Sequence, residues 1–257
     1  MIDSHCHLNH NSFYANPQKY IEEAMEKGVE AFLVIGYDLE SSRRAHALAQ
    51  RFENVFAAVG IHPTDIKKRG PGDLGEIEAM LSDKKVVGYG EIGLDYYWDK
   101  SGEDQKEQKK YFIEQIKLAN EHQKPIIVHT REAAYDTFKI LSDNPPRYGG
   151  IMHCYSGSAE MVGNYIDLGL YISLGGPVTF LNAKTPKEVA KITPLNRLLV
   201  ETDSPYLSPH PLRGKTNSPA NLPLILEEIA RLRGVEAKII DEATTANFRR
   251  LFRLEKQ

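Results

Sequence analysis

Ile2-Asp3-Ser4-His5-Cys6-His7 is the stretch from which the fold can be read. Residues 2–4 have the character of a strand, and successive side chains on a strand alternate between its faces. His5 and His7 therefore share one face, and Cys6 takes the other. Two imidazoles together at a strand end make half of a metal site. The rest of a ligand set follows at wide intervals: Glu91, His129, His153 and Asp203 each come just after a short apolar run, where a strand would finish.

Such β-rich runs recur along the chain, at 2–4, 31–35, 55–59, 85–90, 125–129, 150–153, 170–173 and 197–201. Segments with helical spacing or cap signals separate them. From 17 to 27, Ile21, Ala24 and Met25 share a face and Gly28 supplies a C-cap. Ser41 and Ser42 are placed to cap a helix carrying Ala45, Leu48 and Ala49. The strongest apolar stripe, Phe112, Ile116 and Ala119, runs through 104–122. Further helices are expected at 158–168, 185–192 and 220–231, and a last one over 235–253, packed outside the sheet.

Alternating βα units imply a parallel sheet, and eight of them allow closure into a (β/α)8 TIM-type barrel. A doubly wound open sheet is the alternative. Ligand placement decides between them. An open sheet concentrates its site at one switch point, whereas these candidates follow strands 1, 4, 5, 6 and 8. Only a closed barrel brings those ends to one focus. The expected architecture is α/β: a single barrel domain over 1–257 with an additional C-terminal helix.

With 257 residues, 41% hydrophobic and 26% charged, the composition is that of a globular protein. A net charge of −3 excludes a general basic field, so nucleic-acid binding would need a local patch. No run approaches the roughly 18 apolar residues of a membrane span. A cleaved leader of roughly 15–30 residues would remove His5 and His7, so a cytoplasmic location is expected. The two cysteines, Cys6 and Cys154, adjoin ligand histidines and are expected to point outward beneath the helices as packing residues.

Each candidate has an ordinary reading beside the functional one. A lone His-x-His can occur by chance, and a lone histidine at a strand end is more often a hydrogen-bonded core residue. Histidines at matching positions on successive strands, His129 and His153, shift that balance toward metal. Glu91, flanked by Gly90 and Gly93, suits a carboxylate bridging two cations about 3.5–4 Å apart. Asp203 would sit on the last strand beside the first, where it can bind metal and accept a proton. Glu201 lies two residues deeper on the same face and is expected to support a ligand from behind and not to bind metal directly.

The ordered set resembles the amidohydrolase superfamily and, more finely, the TatD family of metal-dependent nucleases. The resemblance is carried by Asp3-Ser4-His5-Cys6-His7-Leu8, Gly60-Ile61-His62-Pro63, Gly90-Glu91-Ile92-Gly93-Leu94-Asp95, His129-Thr130-Arg131, His153-Cys154-Tyr155-Ser156-Gly157, Glu201-Thr202-Asp203-Ser204-Pro205-Tyr206-Leu207 and Arg213-Gly214-Lys215. It implies two divalent metals, one on His5, His7, Asp203 and shared Glu91, the other on Glu91, His129 and His153. Zn, Mn, Co or Ni suits this imidazole-rich set better than Mg. Tyr155 stands where the family often has Phe, and Thr216 where a basic residue is common, a change that would weaken phosphate affinity.

Two cations outweigh the two carboxylates and leave such a site positive, which suits a phosphodiester. The expected reaction is hydrolysis of nucleic acid, single-stranded DNA first and RNA second, by a metal-activated water with Asp203 as proton acceptor. Candidate substrate contacts are His62, Arg131, Arg213 and Lys215, the last two expected to overhang the metals and grip a phosphate. Tyr96, Tyr97 and Trp98 either stack an unpaired base or pack the rim. No obligate protein partner and no membrane are expected. A small-molecule amidohydrolase, lactonase or esterase on the same metal site is the competing enzyme. A metal-loaded binding protein without turnover is the third reading.

Overall fold

In the computed structural model, which describes residues 1–99 and 102–254, eight parallel strands form one sheet in sequential order. They are β1 (Ile2–Cys6), β2 (Ala31–Ile35), β3 (Val55–Val59), β4 (Val86–Asp95), β5 (Ile126–Arg131), β6 (Gly150–Met152), β7 (Leu170–Leu174) and β8 (Leu198–Val200). Sequential parallel order with helices between is the arrangement of a TIM-type barrel. The closing seam, between β8 and β1, is stitched partly by side chains. Asp203 N–H donates to the His5 carbonyl at 2.9 Å, and His7 N–H to the Ser204 carbonyl at 2.8 Å. Deeper in the seam, the buried Asp3 carboxylate accepts the Thr202 N–H at 2.9 Å and the Thr202 hydroxyl at 2.5 Å, while Ser4 Oγ donates to the Val200 carbonyl at 2.9 Å.

The helices are α1 (Asn11–Tyr14), α2 (Pro17–Glu26), α3 (Leu39–Arg51), α4 (Asp73–Met80) and α5 (Gln105–Glu121) in the first half. The second half carries α6 (Ala134–Asp143), α7 (Met161–Asp167), α8 (Thr185–Ile192), α9 (Leu222–Arg233) and α10 (Ala237–Leu251). Gly28 takes a left-handed φ of 87° after α2, as its sequence position implies. The cap of α3 differs from expectation. Asp38, not Ser41 or Ser42, is the N-cap: its carboxylate accepts the Ser41 N–H at 2.7 Å, and the Ser41 hydroxyl accepts the Asp38 N–H at 2.9 Å. This reciprocal box starts the helix three residues earlier than the serines alone suggest.

Strand side chains divide between two cores. Phe32, Val34, Val128, Met152 and Val200 face the helices, with Ile21, Ala45, Phe112 and Ile116 packed on them. Leu33, Ile35, Ala58, Ile127, Ile151 and Leu199 fill the interior. The helix expected to pack outside does more than that. Phe248, Leu251 and Phe252 of the C-terminal segment join the interior cluster and close the floor of the barrel, the end opposite the strand C-termini. Asn247 locks this plug by donating to the Leu195 and Leu198 carbonyls, each at 2.8 Å. No helix among the described residues is long and apolar enough to cross a membrane.

Phe248 is fully buried, its ring 4.7 Å from that of Phe252. Phe248→Ala removes the floor's largest buried group and should lower unfolding free energy by about 3–5 kcal/mol. Urea denaturation followed by circular dichroism measures this. A loss below about 1 kcal/mol would mean that α10 is not part of the core.

Candidate metal centre

The strand C-termini open onto a cavity of about 670 Å³. Its floor is built by local departures from regular strand geometry. In β4 the pairing register with β5 slips between Tyr89 and Ile92, so Glu91 turns into the mouth. Gly93 makes the slip feasible: its φ is 144°, and a Cβ there would lie 2.0 Å from the His129 carbonyl oxygen. A register irregularity between Asp3 and Cys6 of β1 likewise precedes the two histidines. His5 and His7 face the cavity side while Cys6 joins the core under the helices, its thiol donating to the Leu33 carbonyl at 3.6 Å.

Glu91, only 4% exposed, is the hub. Its Oε2 faces His5 Nε2 at 3.5 Å and His7 Nε2 at 4.0 Å. Its Oε1 faces His129 Nδ1 at 2.9 Å, His153 Nε2 at 3.1 Å and His62 Nε2 at 3.6 Å. Asp203 Oδ1 lies 3.3 Å from His7 Nε2 and 3.6 Å from His5 Nε2. The six residues read from sequence as ligands therefore converge, with one oxygen of Glu91 turned to each histidine group.

Groups behind the histidines fix which nitrogen carries hydrogen. His7 Nδ1 lies 3.0 Å from the Ile35 carbonyl, which can only accept, so Nδ1 donates and Nε2 presents a lone pair. His153 Nδ1 faces Glu201 Oε1 at 3.0 Å, leaving Nε2 for the cavity. His129 is held the other way round, its Nε2 donating to Asp95 at 3.0 Å and its Nδ1 turned to Glu91. The lone pairs that His7, His129 and His153 aim at carboxylates repel them unless a proton or cation lies between, and His5, whose Nδ1 is buried without a partner, adds its Nε2 3.2 Å from that of His7. The donor set fits divalent cations for that reason, with carboxylate partners behind the imidazoles as metal-binding histidines require.

The electrostatics agree. Burial alone would raise Glu91, but the field of His153 and His62 and the hydrogen bonds of His129 and His153 hold it well below the ordinary range. Asp203 is lowered too, burial being outweighed by its bond to His7 and the charge of His153. Burial would depress His7, His129 and His153, yet their facing carboxylates raise all three. His62 goes the other way, down to about 3, from burial and the neighbouring His129.

His62, Asp95 and His129 form a further His/Asp cluster. The Thr64 N–H, which can only donate, points to His62 Nδ1 at 3.2 Å. That bond places the His62 hydrogen on Nε2, so the ring offers the cavity a donor. Asp95 acts on His129. Sequence reading gave Asp95 no role, although its even spacing from Glu91 along one strand puts both on the same face.

The remaining candidates separate. His62 and Arg131 line the cavity. The Arg131 guanidinium lies 3.6 Å over the Tyr97 ring, and exposed Trp98 stands at the rim. Tyr96 is packing, its hydroxyl donating to Asp136 at 2.8 Å. Arg213 and Lys215 do not overhang the metal ligands. Arg213 is drawn over Phe180, 3.9 Å from the ring centre, in a neighbouring hollow, while Lys215 is exposed and lines neither space. Cys154 also departs from expectation and lines the cavity. β6 ends at Met152, Cys154 takes a φ of 41°, and its N–H donates to Glu201 at 2.8 Å, so strand alternation no longer governs its thiol.

The family model described as TatD related DNase matches residues 2–253. The chain is 43% identical over 255 residues to an uncharacterized metal-dependent hydrolase, YabD, of Bacillus subtilis (strain 168), the match covering 99% of each. It is 34% identical over 259 residues to the 3'-5' ssDNA/RNA exonuclease TatD of Salmonella typhimurium (strain LT2), covering 98% of each. The crystal structure of YJJV, a TatD homolog from Escherichia coli k12, superimposes with a TM-score of 0.93 at 30% identity, covering 99% of this chain and 98% of that one.

If Glu91 bridges, Glu91→Ala should lower the content of two bound divalent ions together, as read by elemental analysis after controlled loading. Retention of one tightly held ion would assign Glu91 to a single site. Asp95→Asn should act on one ion only, weakening its affinity roughly 10–100-fold through His129.

Proposed function

The chain belongs to the TatD-related DNase family and is a metal-dependent hydrolase, and from that premise we propose that it hydrolyses phosphodiester bonds of single-stranded nucleic acid, DNA first and RNA second. The observation that carries this is the division of Glu91 between two histidine groups, with Asp203 beside one of them. His5, His7, Asp203 and Glu91 would hold one divalent cation, and Glu91, His129 and His153 a second; Zn, Mn, Co or Ni suits the imidazole donors. When bound, the pair supplies Lewis-acid polarisation of a phosphoryl oxygen and an acidified water. The Salmonella relative, named for action on single-stranded DNA and RNA, supports the substrate class.

The chain's own residues supply the rest. Asp203, held as a carboxylate, takes the proton of the attacking water. His62 turns its Nε2 hydrogen into the cavity as a donor to a substrate oxygen without adding charge. Arg131, braced flat on Tyr97, presents its fork to a phosphate, and Trp98 offers a face to an unpaired base. All six proposed ligands come from one chain, which favours an enzyme with no obligate protein partner. Two free cysteines suit the reducing cytoplasm.

Asp203→Asn tests the central role. Turnover of single-stranded DNA should fall roughly 10²–10⁴-fold while binding persists. Near-normal hydrolysis by a variant shown to hold its full metal content would remove Asp203 from that role.

A further inference from the structure

Arg213 is exposed, and no carboxylate pairs with it among the described residues. Its guanidinium lies against the face of Phe180 in a hollow of about 360 Å³, also bounded by Leu181, Asn182 and His210. Among the described residues, no acidic side chain lines this space. The contact holds the guanidinium beside the ring and leaves N–H donors for a phosphate. Leu181, 73% exposed, adds an apolar wall.

The hollow adjoins the metal cavity, and two chain segments each contribute to the lining of both. In the 3-10 turn Gly176–Thr179, Pro177 lines the metal cavity, and Phe180, directly after the turn, lines the hollow. In the facing segment, Tyr206 and Leu207 line the cavity and His210 the hollow. The ridge between them is rigid. A Cβ on Gly176 would lie 1.8 Å from the Leu207 carbonyl oxygen, so the backbones touch, and the His210 N–H donates to Thr179 Oγ1 at 2.8 Å. Asn217 ties the loop back to the barrel, donating to the Thr202 and Tyr206 carbonyls, each at 2.8 Å.

We infer that this hollow is a second nucleotide subsite, in which Arg213 grips the phosphodiester next to the scissile one and Phe180 and Leu181 cover its sugar and base. The inference rests on the phosphodiesterase reading and deepens it. The metals engage one phosphate, and the Arg213 hollow makes a strand longer than one linkage the preferred ligand. Charge complementarity and adjacency to the metal cavity select a polynucleotide for this space.

The test measures affinity of metal-loaded Asp203→Asn protein for thymidine oligomers of increasing length, alone and combined with Arg213→Ala or Phe180→Ala. Exposure of Arg213 leaves folding intact on truncation, and thermal melting checks this. Affinity should step up at the length that first reaches the hollow. Arg213→Ala should erase about tenfold or more of that step, the value of a charge-assisted hydrogen bond. It should also flatten the log–log salt dependence by about 0.7. Phe180→Ala should shrink the step without changing the slope as much. An undiminished step and slope in Arg213→Ala, with oligomers still bound and still cut by the unaltered enzyme, would overturn the subsite alone. Oligomers neither bound nor cut by the metal-loaded enzyme would overturn the phosphodiesterase reading itself.

Discussion

A carboxylate that is 4% exposed must be surrounded by donors or cations, and this requirement on Glu91 organises the mouth of the barrel. Five imidazoles face its oxygens, four within 3.6 Å and His7 at the 4.0 Å limit of ion pairing. They come from strands β1, β5 and β6 and from the loop after β3, so no single βα unit can satisfy the carboxylate. The sheet must curl until β1 meets the end of β8, and the polar seam through Asp3, Ser4 and Thr202 holds it there. Three of the imidazoles, His7, His129 and His153, are held from behind by Ile35, Asp95 and Glu201. A buried charge of this kind contributes little to stability. The cost is carried by the apolar interior beneath, with Phe248 and Phe252 as its plug.

Much of this arrangement was legible because it follows period two. Residues on one face of a strand recur at even spacing, and the proposed ligands close their apolar runs at the same relative depth. The strands and the (β/α)8 order followed from that. α4 was not legible: Ile77 is its one buried residue, and Gly72 and Gly75 interrupt the pattern. α6 does bury Thr137, Ile140 and Leu141, a helical spacing, but its stripe is short and begins just beyond the Arg131 loop. Irregular backbone hid the rest. The left-handed turn at Cys154 follows its bond to Glu201, and no periodicity encodes it. Arg213 was misplaced for a similar reason: its position depends on Phe180, thirty-three residues earlier, through a cation–π contact across two loops.

The orienting carboxylates mark a distinction that residue type alone does not make. Glu91, Asp95, Glu201 and Asp203 are all acidic, all near the mouth, and all beside histidines. Two of them, Glu91 and Asp203, face the nitrogens that the ligand histidines turn to the cavity, and Glu91 also meets the His62 Nε2. The other two face the nitrogens that carry hydrogen. The same tautomer logic separates His62 from the other imidazoles, because a backbone N–H on its Nδ1 leaves a donor facing the cavity. A donor beside cations adds no charge to repel them, and burial, which drives His62 down to about 3, keeps it neutral there. The mouth thus holds cation-binding lone pairs and a neutral proton donor within one cavity, kept apart by what lies behind each ring.

Rim and floor divide the remaining labour. Floor residues are apolar, fully packed and remote from the cavity, so they set stability and leave chemistry untouched. Rim residues are exposed, aromatic or basic, and braced: Arg131 on Tyr97, Arg213 on Phe180. Bracing removes rotamer freedom before any ligand arrives, so less entropy is lost when a phosphate binds. The two guanidiniums belong to separate spaces, Arg131 to the metal cavity and Arg213 to the hollow beyond the Gly176–Leu207 ridge. A compact substrate filling one cavity can engage only the first. A ligand with anionic groups at regular intervals can engage both, and a net charge of −3 on the whole chain leaves such local patches as its means of attracting one.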